Sequence, residues 1–176
     1  MKMFTYIIDG EPVAQQRPRF SNKHTYDPQE SLKTEVSWSL KYQHMKQNSF
    51  QGLYLGALTN PLYVSFEFHM TIPKSVSKAK KAELLHKPHL KKKDLDNMCK
   101  FYMDAGNAVL WHDDSLIYRL DALKFYSDTP RTVIVAREME ADDLDTAYED
   151  TRKLREEYRK QLLDTLSPLM ERLART

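Results

Sequence analysis

The stretch at residues 92–115, KKDLDNMCKFYMDAGNAVLWHDDS, decides how the chain is organised. From Asp94 to Ala105 the spacing is helical, and Gly106 marks a stop at the helix C-terminus. Asp96, Lys100 and Asp104 follow at four-residue steps along one face of that helix. A short apolar run, Val109 to Trp111, then leads to a second acidic pair, Asp113-Asp114. Downstream, Ile117 to Phe125 and Thr132 to Ala136 read as two strands joined through the turn Ser127-Asp128-Thr129-Pro130. Upstream, Leu62 to Met70 reads as a strand, with Val64, Phe66 and Phe68 on one face and Tyr63, Ser65 and Glu67 on the other. Strands therefore flank a helix, and the body of the chain is expected to be α+β.

The N-terminal part extends this pattern. Phe4, Tyr6 and Ile8 alternate with Thr5, Ile7 and Asp9 before Gly10, as in a half-buried strand ending in a turn. Pro12 to Phe20 is expected to be loop, in which Pro18 stiffens the backbone between Arg17 and Arg19. Asp27-Pro28-Gln29-Glu30 has the form of a helix start, with Asp27 as cap and Glu30 completing a capping box. The helix should run to about Gln47 with Leu32, Val36, Leu40 and Tyr42 as its apolar stripe, and Asn48 to Pro61 should be a connection.

The chain has 176 residues, 41% of them hydrophobic and 30% charged, which suits one ordinary domain with a core and excludes a disordered or fibrous protein. Its net charge of +2 conceals a division. Residues 1–137 carry 20 basic and 14 acidic side chains, whereas residues 138–176 carry 7 and 11. A basic body at 1–137 is thus followed by an acidic extension at 138–176. The extension repeats Leu144, Tyr148, Thr151, Leu154, Tyr158, Leu162, Leu166, Leu169 and Leu173 at three- and four-residue steps, an amphipathic helix that Pro168 should kink. One cysteine, Cys99, gives no intrachain disulfide, and no apolar run approaches the roughly 20 residues of a membrane helix. A cytoplasmic protein with no membrane partner is expected.

Between Ile72 and Lys93 the periodicity weakens, and Lys74, Lys78, Lys80, Lys81, Lys87, Lys91, Lys92 and Lys93 face a single acid, Glu83. Such a run by itself is compatible with a solvated loop. Likewise Asp at a helix start is an ordinary cap, and Asp-Asp in a turn is common. In combination they say more, because clustered carboxylates repel unless a metal or a basic partner neutralises them. A chain reversal at Gly106 would bring Asp113-Asp114 back towards Asp94 and Asp96. Hard divalent cations such as Mg²⁺ take carboxylate oxygens, and adjacent lysines would draw in a phosphate backbone. Metal-assisted attack on a phosphodiester fits this pattern.

Other residues favour plainer roles. His86 and His89 lack the partners of a zinc site and read as surface histidines, His112 reads as an exposed turn residue, and Cys99 as a small buried side chain. Phe20 and Tyr26 are expected to pack beside the loop, a contact with nucleic acid being the alternative.

Lys92-Lys93-Asp94-Leu95-Asp96-Asn97, then Lys100, Asp104-Ala105, Asn107 and Asp113-Asp114-Ser115, resembles the signature of RusA-type Holliday junction resolvases. The opening Gly10-Glu11-Pro12-Val13-Ala14, with Arg17-Pro18-Arg19-Phe20 and Tyr26-Asp27-Pro28, resembles that of phage and bacterial members. Two spaced blocks in the right order cover roughly residues 3–137. The resemblance implies a RusA-like mixed sheet with packed helices and a small homodimeric endonuclease, bacterial or phage-encoded, that nicks four-way DNA junctions symmetrically. It implies Mg²⁺ as cofactor, with Mn²⁺ able to substitute. By motif position Asp94, Asp96 and Asp114 correspond to the catalytic, metal-holding acids and Lys100 to the catalytic lysine, with Asp113 as a further ligand. Arg17, Arg19 and the eight lysines from Lys74 to Lys93 would contact phosphates of branched DNA. Two departures stand out: Ala105-Gly106-Asn107-Ala108 replaces the usual Ala-Leu-Asn-Gly turn, and Leu116 stands where Gln is frequent. Two other readings are compatible with the residues, a non-catalytic branched-DNA binder and an interaction protein that recruits a partner through its C-terminal helix.

Overall fold

Parallel neighbours in a sheet cannot be joined by a tight turn, and this requirement organises the protein. The computed structural model describes residues 3–21 and 24–139, together with Thr146, Glu149, Arg152, Lys153 and Glu156. In chain order the elements are β1 (Met3–Asp9), β2 (Arg19–Ser21), β3 (His24–Tyr26), α1 (Glu30–Gln47), β4 (Ser49–Phe50), β5 (Leu53–Tyr54), β6 (Leu62–Thr71), α2 (Lys78–Leu84) and α3 (Leu95–Gly106). A 3₁₀ turn (Asp114–Leu116), β7 (Ile117–Ser127) and β8 (Arg131–Glu138) complete the body. The main sheet has the order β1-β8-β6-β7, with β6 and β7 parallel and the other neighbours antiparallel. The β6–β7 crossover therefore runs from Ile72 to Leu116 and contains the lysine run, α3 and both acidic pairs. This is an α+β fold with a mixed sheet, as the sequence indicated.

Alternation fixes which face is covered. Leu62, Val64, Phe66, Phe68 and Met70 of β6 are buried on one side, where Phe66 pairs with Ile134 of β8 and Ala122 of β7. Phe4 and Tyr6 of β1 continue that face, and α1 and α3 supply Val36, Leu40, Met98, Phe101, Tyr102 and Ala105 to the same cluster. Phe66, Phe68 and Tyr102 stack with ring centroids 5.7–6.4 Å apart, and each large side chain buried there contributes about 1.5–3 kcal/mol.

Several local expectations need correction. α1 begins at Glu30 with Gln29 as its cap residue and no side-chain cap, because the Asp27 carboxylate accepts instead from the Gln29 N–H at 2.8 Å and from Lys33. Its buried side is Val36, Leu40 and His44, while Tyr42 is 61% exposed. His44 is held in the core by the Tyr6 hydroxyl at 2.8 Å and the Gly56 carbonyl at 3.0 Å. The loop before α1 closes as the hairpin β2–β3, where Phe20 and Tyr26 are exposed instead of packed. The connection after α1 contains the small hairpin β4–β5. The lysine run forms α2, capped by Ser77, and His89 is buried.

Along the β1 edge, α1 lends two side-chain amides to the backbone. Gln43 accepts from the Ile7 N–H at 2.9 Å and donates to its carbonyl at 2.9 Å, and Gln47 does the same for Thr5 at 3.1 and 2.8 Å. Four helical residues rise about 6 Å and two strand residues about 6.6 Å, so the spacings match.

The chain divides into two units, Met1–Glu138 and Met139–Thr176. In the second, the described residues are helical, and Arg152 lies 3.6 Å from both Glu149 and Glu156. The repeat from Leu144 to Leu173 lies outside the described residues. No helix among the described residues is long and apolar enough to cross a membrane.

Candidate functional site

The site is built on α3, whose amphipathic pattern sends Met98, Cys99, Phe101, Tyr102 and Ala105 into the core and leaves Asp96 and Lys100 on the surface. Burial pushes the Cys99 thiol up to about 11, which suits an inert packing residue. Asp94 precedes the helix in extended conformation, and its carboxylate makes no capping bond. It is therefore not engaged by the helix N–H groups, against the ordinary reading of such a residue.

The return of the chain follows from close packing at Gly106. A Cβ there would sit 2.6 Å from the Trp111 ring, so glycine is required by contact; the left-handed residue of this turn is Ala108 at φ 58°. The Val109 and Leu110 N–H groups both donate to the Gly106 carbonyl, and Trp111 Nε1 donates to Asn107 at 3.0 Å. Leu58 then clamps the returning segment through bonds to Leu110 and His112 of 2.8 and 2.9 Å. The 3₁₀ turn that starts at Asp114 consequently packs against α3, and Leu95 and Leu116 rest on one core cluster. The altered Ala-Gly-Asn-Ala sequence thus forms an ordered turn.

Asp94, Asp96 and Asp114 are brought onto neighbouring elements, and among the described residues none of the three carboxylates, nor Lys100, has a hydrogen-bond or ion-pair partner. No three His, Cys, Asp or Glu side chains among the described residues converge closely enough to hold a metal ion. The donor set is nevertheless all-oxygen, uncompensated and accessible, which suits a hard divalent cation. Asp113 differs: hydrogen bonds from Ser115, including its N–H at 2.9 Å, hold its carboxyl below the usual range and engage it in the turn.

The segment before Asp94 is locked in place. Lys93 has φ 84°, and its Nζ donates to Glu11 at 3.0 Å and to the Pro12 carbonyl at 2.7 Å. Its own carbonyl accepts from Lys124. Burial alone would raise Glu11, but hydrogen bonds from Thr71 and Lys93 outweigh it and hold the carboxyl low. Gln15 adds a backbone bond of 2.8 Å to the Asn97 carbonyl. Lys93 is thus an internal tether, although the sequence places it among the phosphate-contacting lysines.

Lys74, Lys78, Lys80, Lys81, Lys87, Lys91 and Lys92 are exposed, as are Arg17 and Arg19. Lys80 is paired with Glu83 at 2.8 Å. The run is anchored: His86, Lys87 and His89 exchange backbone bonds of 2.9–3.0 Å with Lys124 and Tyr126 at the end of β7. Sequence reasoning missed this anchoring, the Glu11–Lys93–Lys124 tether, and Lys33, which bridges Asp27 at 2.8 Å and Asp104 at 3.1 Å. Only the four-residue step from Asp96 through Asp104 hinted at the last, since its partner lies 71 residues away.

Comparison with known proteins supplies the family. Residues 9–137 match the family model described as endodeoxyribonuclease RusA. The chain is also 34% identical over 149 residues to the uncharacterized protein YqaN of Bacillus subtilis (strain 168), covering 80% of this chain and all of that protein. With the acidic pairs, the anchored basic segment and the mixed sheet in the matched region, the chain belongs to the RusA endodeoxyribonuclease family.

Proposed function

We propose that the protein is a structure-specific endodeoxyribonuclease that resolves four-way DNA junctions, acting in the cytoplasm as a homodimer with Mg²⁺. The observation that carries this reading is the set of uncompensated carboxylates, Asp94, Asp96 and Asp114, in the second half of the β6–β7 crossover, whose first half is an anchored lysine segment. These three would hold the ion, with Asp113 stabilising the turn that carries Asp114. When bound, Mg²⁺ polarises the scissile phosphate and lowers the pKa of bound water, and Mn²⁺ can substitute. Lys100, one turn after Asp96, places a positive charge where charge builds on the transferred phosphate. Arg17, Arg19 and the exposed lysines from Lys74 to Lys92 grip the backbone on either side, and Lys93 fixes the approach of Asp94. A four-way junction has approximate twofold symmetry, so a twofold dimer presents one site to each of two opposed strands.

One observation favours a second reading, a branched-DNA binder that does not cut: the three carboxylates do not converge among the described residues. The two separate in one assay. A synthetic four-way junction, its constituent duplexes and a flap are incubated with the protein and Mg²⁺ or Mn²⁺, beside Asp96→Asn. Paired symmetric nicks in the junction, lost in the variant while binding persists, support resolution. Tight binding without cutting supports the second reading, and equal cutting of all substrates defeats both.

A further inference from the structure

α1 carries apolar side chains on two opposite sides, and only one of them is covered. Val36, Leu40 and His44 enter the core, whereas Trp38, Tyr42 and Met45 are 65%, 61% and 42% exposed at steps of four and three residues. Such positions share one helix face. Each exposed ring is accompanied by a lysine of the same helix: Lys41 Nζ lies 5.3 Å from the Trp38 ring centroid, and Lys46 Nζ 4.2 Å from that of Tyr42. Trp38 and Lys41 also border a cavity of about 350 Å³ between α1 and α3, whose floor includes Ser37 and Asp104.

That cavity is continuous in sequence with the candidate reaction centre. Asp104 stands two turns beyond Asp96 on the same face of α3, with Lys100 between them, a rise of about 12 Å. Lys33 is shared between Asp104 and Asp27, and the negative charge this leaves is offset at the cavity by Lys41, which lines it beside Lys33. A stacked strand advances about 3.4 Å per nucleotide, so a strand with its phosphate at Asp96 reaches the cavity within three or four residues.

We propose that Trp38, flanked by Lys41 and continued by Tyr42 and Lys46, is a stacking platform for an unpaired base of the bound DNA strand, three or four nucleotides from the scissile phosphate. The inference rests on the DNA-cleaving reading above and adds a binding subsite to it. Nucleic acid is favoured over a second copy of the chain by charge. Single-stranded nucleic-acid sites combine aromatic platforms with cations, whereas protein interface cores are depleted in lysine. Both rings here carry a lysine, and the acid closest in sequence, Glu35, lies three residues away from Trp38 without pairing to either.

The chain has two tryptophans, and the other, Trp111, is fully buried, so a change in emission on DNA binding reports on Trp38. The test uses the full chain with Asp96→Asn, a labelled four-way junction followed by anisotropy, and an unlabelled one followed by tryptophan emission. Saturating DNA should quench the emission. Adding Trp38→Ala should abolish the quench and weaken binding by roughly 5- to 150-fold, the range for one stacked base. Trp38→Phe should restore most of the affinity, and Lys41→Glu should weaken binding with Trp38 intact. All variants should melt within a few degrees of the parent. The proposal falls if emission is unchanged at saturation, or if Trp38→Ala binds as tightly as its parent. It falls also if Trp38→Ala turns a dimer into a monomer in sedimentation, which would assign the stripe to a second copy. Absence of any anisotropy change with intact Trp38 would instead overturn the DNA-cleaving reading, and the platform with it.

Discussion

The two ends of α3 treat their charges in opposite ways. At the C-terminal end Asp104 is tied to Lys33, which also holds Asp27, and the Trp111 ring leaves no room for a side chain at Gly106. At the N-terminal end Asp94 and Asp96 have no ion-pair partner among the described residues, and the nearest lysine in sequence, Lys93, points away to Glu11. Carboxylates that serve the fold are compensated by the fold. On the proposed reading, those left uncompensated take their charge from outside the chain, so their removal should alter activity and leave stability nearly unchanged.

The contrast breaks most visibly at Asp96. Asp96→Asn should reduce junction cleavage by about 10³-fold or more while leaving Tm within a few degrees, read by a nicking assay beside thermal melting. Loss of folding in that variant would erase the distinction between the two ends. Next comes Gly106→Ala, where the new Cβ meets the Trp111 ring; overpacking should cost about 1–3 kcal/mol in denaturant unfolding. An unchanged midpoint would show that the turn yields freely. Lys91→Ala with Lys92→Ala should weaken DNA binding and flatten the log–log salt dependence by about one unit per lost phosphate contact. Lys93→Ala should instead leave the salt slope nearly intact and lower stability by no more than about 1 kcal/mol, since both heads of its ion pair with Glu11 are a third or more exposed.

The smallest effect sharpens the comparison through pH. The Lys33 hydrogen bond, with that of the Gln29 N–H, holds the Asp27 carboxyl below its ordinary value of 3.8. A carboxyl lowered on folding stabilises fully above its unfolded value, and that contribution is lost as pH falls through the lowered one. The Tm advantage of the wild type over Lys33→Met should therefore hold at pH 6 and shrink below about pH 4. A constant gap down to pH 2 would place the effect of Lys33 in packing alone.

Regular burial was legible and compensated charge was not. Val64, Phe66 and Phe68 alternate so regularly that β6 and its covered face follow from the sequence, and α3 follows from its apolar spacing. α1 was harder, because Trp38, Tyr42 and Met45 decorate its outer side as heavily as Val36, Leu40 and His44 fill the inner one. Which side faces inward is fixed by Tyr6 and Gly56 binding His44, contacts made across 38 and 12 residues. α2 hid within a charge run because none of its residues is buried, leaving no periodic signal beyond the Ser77 cap. At the candidate site, the outward placement of Asp96 and Lys100 follows from the same helical spacing. That Lys93 turns inward depends on a left-handed backbone and on a glutamate 82 residues earlier, which no local pattern encodes.

The amide ladder that Gln43 and Gln47 lay along Thr5 and Ile7 mimics one more strand without being one. An exposed margin of a sheet invites foreign chains to zip onto it. Here that margin is sealed by side chains of the protein's own first helix, at no cost in length. Lateral growth, wanted or not, is thereby steered to the far margin, where among the described residues the first half of β7 keeps its outer backbone open beside Asp114.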